Sequence, residues 1–311
     1  MQSVTERFLR YVKVNTTPDP DSETSPSTER QFDLLRMLRD ELIELGAKDV
    51  TLDEFGYVYA KIPATAEGLP RLGFLAHVDT SPDAPGEGVN PRIVENYDGG
   101  DVVLNKEKNV VLSPSEFPEL TDYVGQDLIV TDGTTLLGAD DKAGVAQIMT
   151  LCERLLSPDA PPHCEICVAF TPDEEIGRGT RHFDVQRFGA DFGYTMDGGK
   201  LGEIEYENFN AAAAKITVNG VSIHPGTAKN KMKNAILMAM EFHAMLPSAE
   251  APAHTEKYEG FYHLSDICGE VERCTLEYII RDHDMGLFEA RKAFMRKVAD
   301  YLNDKYGAGT F

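Results

Sequence analysis

Positive charge is scarce in this 311-residue sequence: 30 Lys and Arg face 52 Asp and Glu, a formal net charge of −22. That deficit argues against nucleic acid or an anionic membrane surface as the main partner, because a polyanion would be repelled. No apolar run reaches the roughly 18 residues of a membrane helix. The opening residues, MQSVTERFLRYVKV, lack the basic segment followed by an apolar stretch that marks a secretory leader. Cysteine is limited to Cys152, Cys164, Cys167, Cys268 and Cys274. An odd number in a long chain reads as reduced thiols rather than a disulfide framework, and the expected compartment is cytoplasmic. There is no Gly-x-Ser-x-Gly elbow and no glycine-rich phosphate loop, and no repeat or low-complexity tract. At about 150 residues per domain, the length suggests two domains.

What is present is alternation. A first helix is expected over Val4 to Val14, with Val4, Phe8, Leu9 and Val12 on one face. After a polar loop, Thr28 and Gln31 fit a capping box for a longer helix with the stripe Phe32, Leu35, Leu38, Leu42, Leu45, closed by Gly46. Strands are predicted at Val50–Leu52, Tyr57–Ile62, Arg71–Ala76, Leu128–Thr131, Cys164–Phe170 and Phe192–Met196, with a helix at Gly144–Leu156. This order favours a layered α/β domain with a mostly parallel sheet, assigned to residues 1–208. From residue 209 the pattern becomes β-α-β-β-α: strand Ala213–Asn219, helix Asn230–Leu246 with Met232, Ile236, Ala239, Met240 and Phe242 near one stripe, strands Phe261–Cys268 and Cys274–Arg281, and helix Leu287 to Tyr306. Residues 209–311 therefore read as a ferredoxin-like α+β domain lacking its last strand.

Four acidic clusters follow predicted strands of the first domain, where ligands gather in α/β sheets. His77-Val78-Asp79 offers an imidazole and, two residues on, a carboxylate able to orient it. Gly138-Ala139-Asp140-Asp141 places adjacent carboxylates ahead of a helix, where they would repel each other without a nearby cation. Thr171-Pro172-Asp173-Glu174-Glu175-Ile176-Gly177 puts three acids on a short turn, so that one glutamate can hold a metal while the next takes a proton from water. Met196-Asp197-Gly198-Gly199 is the fourth. Any one of these is equally readable as a helix cap or a solvated loop. Together they suit two closely spaced divalent ions sharing one carboxylate, and zinc, cobalt or manganese would match the donor types. Cys164-x-x-Cys167 lies in an apolar strand whose alternation sends the two thiols to opposite faces, so it reads as core rather than a redox pair.

These segments, with Ile223-His224-Pro225-Gly226-Thr227-Ala228 and Tyr278-Ile279-Ile280-Arg281-Asp282, resemble the peptidase T family, tripeptide aminopeptidases within the dinuclear-zinc group that includes carboxypeptidase G and the aminoacylases. The resemblance implies a phosphorylase/hydrolase-like zinc-peptidase catalytic domain with an inserted ferredoxin-like lid and dimerisation domain. It implies two zinc ions: His77 and Asp197 on the first, Glu175 on the second, and Asp140 bridging them. It also implies Glu174 as general base, Asp79 as the support of His77, and a cis peptide between Asp140 and Asp141. His224 would reach the partner subunit's active site in a homodimer and steady the oxyanion, and Arg281 would hold the peptide carboxylate. The family carries a further zinc histidine near its C-terminus that has no counterpart before Phe311, so the second metal is expected to bind weakly. Two other readings stay open: an amidase or deacylase acting on N-acyl amino acids, and a chain without turnover that serves as a binding or dimerisation partner.

Overall fold

The structure, a computed structural model, describes residues 2–311. Helix α1 (Val4–Tyr11) starts on a reciprocal capping box: the Ser3 hydroxyl accepts from the Glu6 amide, and the Glu6 carboxylate accepts from the Ser3 amide. It ends at Val12, earlier than expected, and buries Arg7, Phe8, Tyr11 and Val12 while Val4 is exposed. The buried stripe is rotated from the predicted one because the Arg7 guanidinium is carried inward by an ion pair to Glu153 at 2.9 Å.

Helix α2 (Gln31–Leu45) closes at Gly46 with φ 92°, as its sequence indicated. Its predicted capping box does not form. Arg30 is the N-cap without a side-chain bond, the Thr28 hydroxyl donates to the Thr17 carbonyl at 2.9 Å, and the Gln31 amide is drawn to Asp173 at 2.6 Å. Leu34, Leu35, Leu38 and Leu42 are fully buried, each contributing about 1.5–3 kcal/mol of burial.

The chain continues through β1 (Lys48–Leu52), β2 (Val58–Ile62), β3 (Leu72–His77), β4 (Arg92–Val94), β5 (Val102–Asn105), β6 (Val110–Leu112), β7 (Leu128–Val130), α3 (Ala139–Leu155), β8 (Ile166–Thr171), α4 (Val185–Phe188) and β9 (Phe192–Thr195). The main sheet has the order β1-β2-β8-β3-β9. Only the β3–β8 and β3–β9 pairs are parallel, and β1–β2 and β2–β8 are antiparallel. The sheet is therefore mixed rather than mostly parallel, since the short link from β1 to β2 permits a hairpin but no crossover. The predicted strand at 128–131 is β7, which leaves the main sheet to pair with β4, and β5 pairs with β6. The short strands β4, β5 and β6 were not anticipated, because three or four residues carry little periodicity. The main core lies on one sheet face under α1, α2 and α3, and a smaller cluster of Tyr57, Tyr59, Cys167, Ala169 and Phe188 lies on the other. Cys164 packs against the first cluster and Cys167 belongs to the second, as alternation required.

The chain divides after Glu203 into two compact units. The second contains β10 (Asn210–Asn219), α5 (Ala235–Ala244), β11 (Phe261–Gly269), β12 (Arg273–Asp282) and α6 (Met285–Tyr306), with an antiparallel sheet ordered β10-β12-β11. This is the expected β-α-β-β-α series. Helix α5 begins later than predicted because the Asn234 side chain caps the amides of Ile236 and Leu237. It buries Ala235, Met238, Ala239 and Phe242 against Leu276, Tyr278 and Ile280, and leaves Met240 exposed.

Candidate metal centre

Parallel pairing explains why acids distant in sequence meet. His77 ends β3 and lies in register with Thr171, the last residue of β8, and β3 also pairs with β9, which ends two residues before Asp197. The carboxyl ends of three adjacent strands thus deliver His77, the 171–177 turn and Asp197 to one sheet edge. Asp140 arrives differently: it sits at the entry of α3, where Asp140 and Asp141 depart from helical dihedrals and are joined by a cis peptide bond.

The cluster is organised around a buried imidazole. His77 Nε2 lies 2.9 Å from Asp140 Oδ1, 3.6 Å from Asp197 Oδ2 and 3.8 Å from Glu174 Oε2. Its Nδ1 is 3.0 Å from the Asp79 carbonyl oxygen and 3.3 Å from Asp79 Oδ1, which orients the ring so that Nε2 faces the acids. Asp79, fully buried, accepts the amide of Glu174 on one oxygen and that of Glu175 on the other, each at 3.0 Å. It therefore fixes the imidazole and the turn bearing both glutamates at once. Asp141 is buried and accepts the His77 amide at 3.2 Å.

Donor atoms of His77, Asp140 and Glu175 all lie within 4.8 Å of one another, as do those of His77, Asp141 and Asp197. His77, Asp141, Glu174, Glu175 and Asp197 are each displaced toward keeping a proton. Burial, reinforced by the charges of Asp197 and Asp140, pushes Asp141 up to about 8 against the opposing His77. Burial raises Glu174, Glu175 and Asp197 as well, with neighbouring carboxylates adding to it. For His77 burial acts downward, but Asp79, Asp141 and Asp197 override it and push the ring up to about 10. Lys142, buried beside the cluster, is pulled down to about 7 by burial and donates to the Val14 carbonyl at 2.8 Å. Among the described residues no Lys or Arg forms an ion pair with Asp140, Asp141, Glu174, Glu175 or Asp197. A preorganised, cation-poor set of oxygen donors around one imidazole fits a divalent metal centre.

All six sequence-derived candidates of the first unit, His77, Asp79, Asp140, Glu174, Glu175 and Asp197, meet here. His224 and Arg281 belong to the second unit. His224 caps the short turn Pro225–Thr227, its Nδ1 accepting the Gly226 amide at 3.1 Å. Arg281 lays its guanidinium 4.4 Å from the centroid of the Phe209 ring. Two residues named only as members of their clusters were given no role from sequence: buried Asp141, whose carboxylate holds the His77 backbone, and buried Asp173. The available signal for Asp173 was Gln31, a polar residue heading the buried stripe of α2.

Residues 206–310 match the model of a peptidase dimerisation domain. Peptidase T from Halothermothrix orenii is 60% identical over 311 residues, which cover 100% of this chain and 76% of that protein. Among solved structures, aminopeptidase PepT from Bacillus cereus aligns with TM-score 0.68 and 25% identity, covering 95% of this chain and 70% of that one. A tripeptidase from Staphylococcus aureus aligns with TM-score 0.71 and 22% identity over 98% and 72% of the two chains. The pattern of strand-end acids around His77 and the identity spanning the chain lead to one assignment: the chain belongs to the peptidase T family, hydrolases of peptide bonds.

Proposed function

We propose that this chain is a metal-dependent aminopeptidase releasing the N-terminal residue of tripeptides, with zinc as the metal, acting as a cytoplasmic homodimer. The observation that carries the reading is the convergence of Asp140, Asp197 and Glu174 within 3.8 Å of His77 Nε2. His77, Asp140 and Asp197 would hold one ion, and Asp140 and Glu175 the other, with Asp140 shared. Bound divalent ions supply Lewis-acid polarisation of the scissile carbonyl and a lowered pKa for water.

The remaining work belongs to the chain. Glu174 accepts the proton of the attacking water on a carboxylate oxygen and passes it to the leaving amine. Its raised pKa, caused first by burial, brings it nearer the value suited to that exchange. Asp79 holds the backbone of Glu174 and the ring of His77, so the base and the imidazole keep a fixed relation. His224 of one protomer is assigned to the oxyanion in its partner's site, supported by the dimerisation-domain match over 206–310. Arg281, which stacks on Phe209 and makes no ion pair among the described residues, is assigned to the peptide carboxylate.

The test is hydrolysis of a free tripeptide beside its N-acetylated form, with the parent protein and Glu174→Gln. Cleavage of the free peptide alone, lost about 10²-fold or more in Glu174→Gln, is expected. Cleavage of the acetylated form would favour the deacylase reading, which the peptidase relatives do not support.

A further inference from the structure

Of the three acids on the 171–177 turn, Asp173 spends its carboxylate away from the metal-binding set. Its Oδ2 accepts the Ser27 amide at 2.7 Å, and its Oδ1 accepts the Ser27 hydroxyl at 2.5 Å and the Gln31 side-chain amide at 2.6 Å. Gln31 Oε1 in turn accepts the Asp173 amide at 3.1 Å. All three residues are buried. A buried carboxylate without a cation is tolerated only where donors satisfy its oxygens, and here three do. Asp173 also adopts φ 57°, a left-handed conformation that Asp and Asn accept more readily than most residues. Its carbonyl accepts the Arg178 amide at 2.9 Å and that of Glu174 accepts the Gly177 amide at 2.7 Å, closing the turn. Three successive residues are thus fastened: Asp173 by the start of α2 and the loop before it, Glu174 and Glu175 by Asp79.

We propose that Ser27, Gln31 and Asp173 are positioning residues, a polar lock that sets the backbone from which Glu174 and Glu175 project toward the metal-binding set. The inference rests on the roles given above to those two glutamates. The lock acts through the peptide links from Asp173 to Glu174 and Glu175, its own polar groups being spent on one another. Its loss leaves substrate contacts in place while displacing the base and the Glu175 donor. It therefore lowers kcat and weakens metal binding without a matching change in KM.

The test compares Ser27→Ala and Gln31→Met with the parent and with Leu38→Ala, which removes core packing from the same helix but no bond of the lock. Tripeptide kcat and KM, Co²⁺ affinity by absorption titration, and thermal midpoint are read for each. The lock variants are expected to lose about tenfold in kcat and to bind Co²⁺ about tenfold more weakly, with KM within twofold. Leu38→Ala should lose more thermal stability yet keep parental kcat and Co²⁺ affinity. Lock variants with parental kcat and Co²⁺ affinity would overturn the proposal, as would Leu38→Ala reproducing their losses. Glu174→Gln is run in parallel. Retained activity there removes the general-base role, while the Co²⁺ titration still reports on the lock through Glu175.

Discussion

Two acid clusters, one in each unit, are settled in opposite ways. In the second, Asp282, with its side chain 1% exposed, is met by Arg291 Nε at 2.7 Å, and the same guanidinium also pairs with Glu250. The charges are settled within the chain. In the first, Asp140, Asp141, Glu174, Glu175 and Asp197 gather around His77 with no Lys or Arg ion-paired to them among the described residues. Burial raises Asp141, Glu174, Glu175 and Asp197, and the carboxylates of Asp79, Asp141 and Asp197 hold the imidazole up at about 10. An acid satisfied from within is structural. An acid cluster left short of positive charge, yet held in place by Asp79 and by strand pairing, has the donor set that a cation would satisfy.

The sharpest way to break this contrast is to remove the imidazole. His77→Ala, or exhaustive chelation of the parent, should reduce tripeptide hydrolysis by at least about 10³-fold while the protein stays folded, checked by activity assay beside circular dichroism. Retention of activity would mean that the crowded acids are incidental. The second unit should respond with lost stability instead. Arg291→Met strands Asp282 and Glu250 and is expected to cost about 3 kcal/mol in urea unfolding, whereas Arg291→Met combined with Asp282→Leu should recover part of the loss. An Arg291→Met protein as stable as the parent would remove the claim that this unit settles its charge internally.

How much of this could be read from the sequence follows from what each feature depends on. The acids of the site were legible because each sits within a few residues of a strand end or helix entry, a local pattern. The β-α-β-β-α order of the second unit was legible for the same reason. The direction of the main-sheet strands was not, because pairing β2 antiparallel to β8 is a choice between segments over a hundred residues apart. Nor was the fate of Gln31. Its spacing from Thr28 predicted a cap, but the Asp173 amide takes the Gln31 Oε1 that a capping box would use, while the Asp173 carboxylate accepts from its Nε2. Val4 and Met240 show the same limit: an apolar residue near a stripe is exposed when a neighbour such as Arg7 or Met238 is the one that packs.

Smaller effects sharpen the comparison further. A Cβ on Gly144 would stand 2.3 Å from the Met196 carbonyl oxygen and 2.4 Å from Asp141 Oδ1, between two segments of the metal-binding set. Gly144→Ala should therefore cost about 1–3 kcal/mol and also lower metal affinity. A calorimetric titration that finds stability reduced but affinity unchanged would detach α3 from the site. At the weak end, Glu241 accepts bonds from Lys305 at 2.5 Å and from Tyr306 at 2.5 Å on the surface of the second unit. Hydrogen bonds from Lys305 and then Tyr306 hold its pKa below 4.5. The folded value is depressed, so its contribution is present in full above the ordinary carboxylate range and fades as pH falls through the lowered value. Being near the surface, the pair should be worth no more than about 1 kcal/mol, read as the pH 7 stability difference between parent and Glu241→Gln, with the gap closing on acidification.

The central claim is that the acids of the first unit form a centre for two divalent ions with Asp140 shared between them. Isothermal titration of the metal-stripped protein with zinc, run beside Asp140→Asn, tests it most directly. The account predicts saturable binding of two ions per chain in the parent, the second more weakly held, and weakened binding of both in the variant. Absence of saturable binding in the parent, or a titration unchanged by Asp140→Asn, would contradict it.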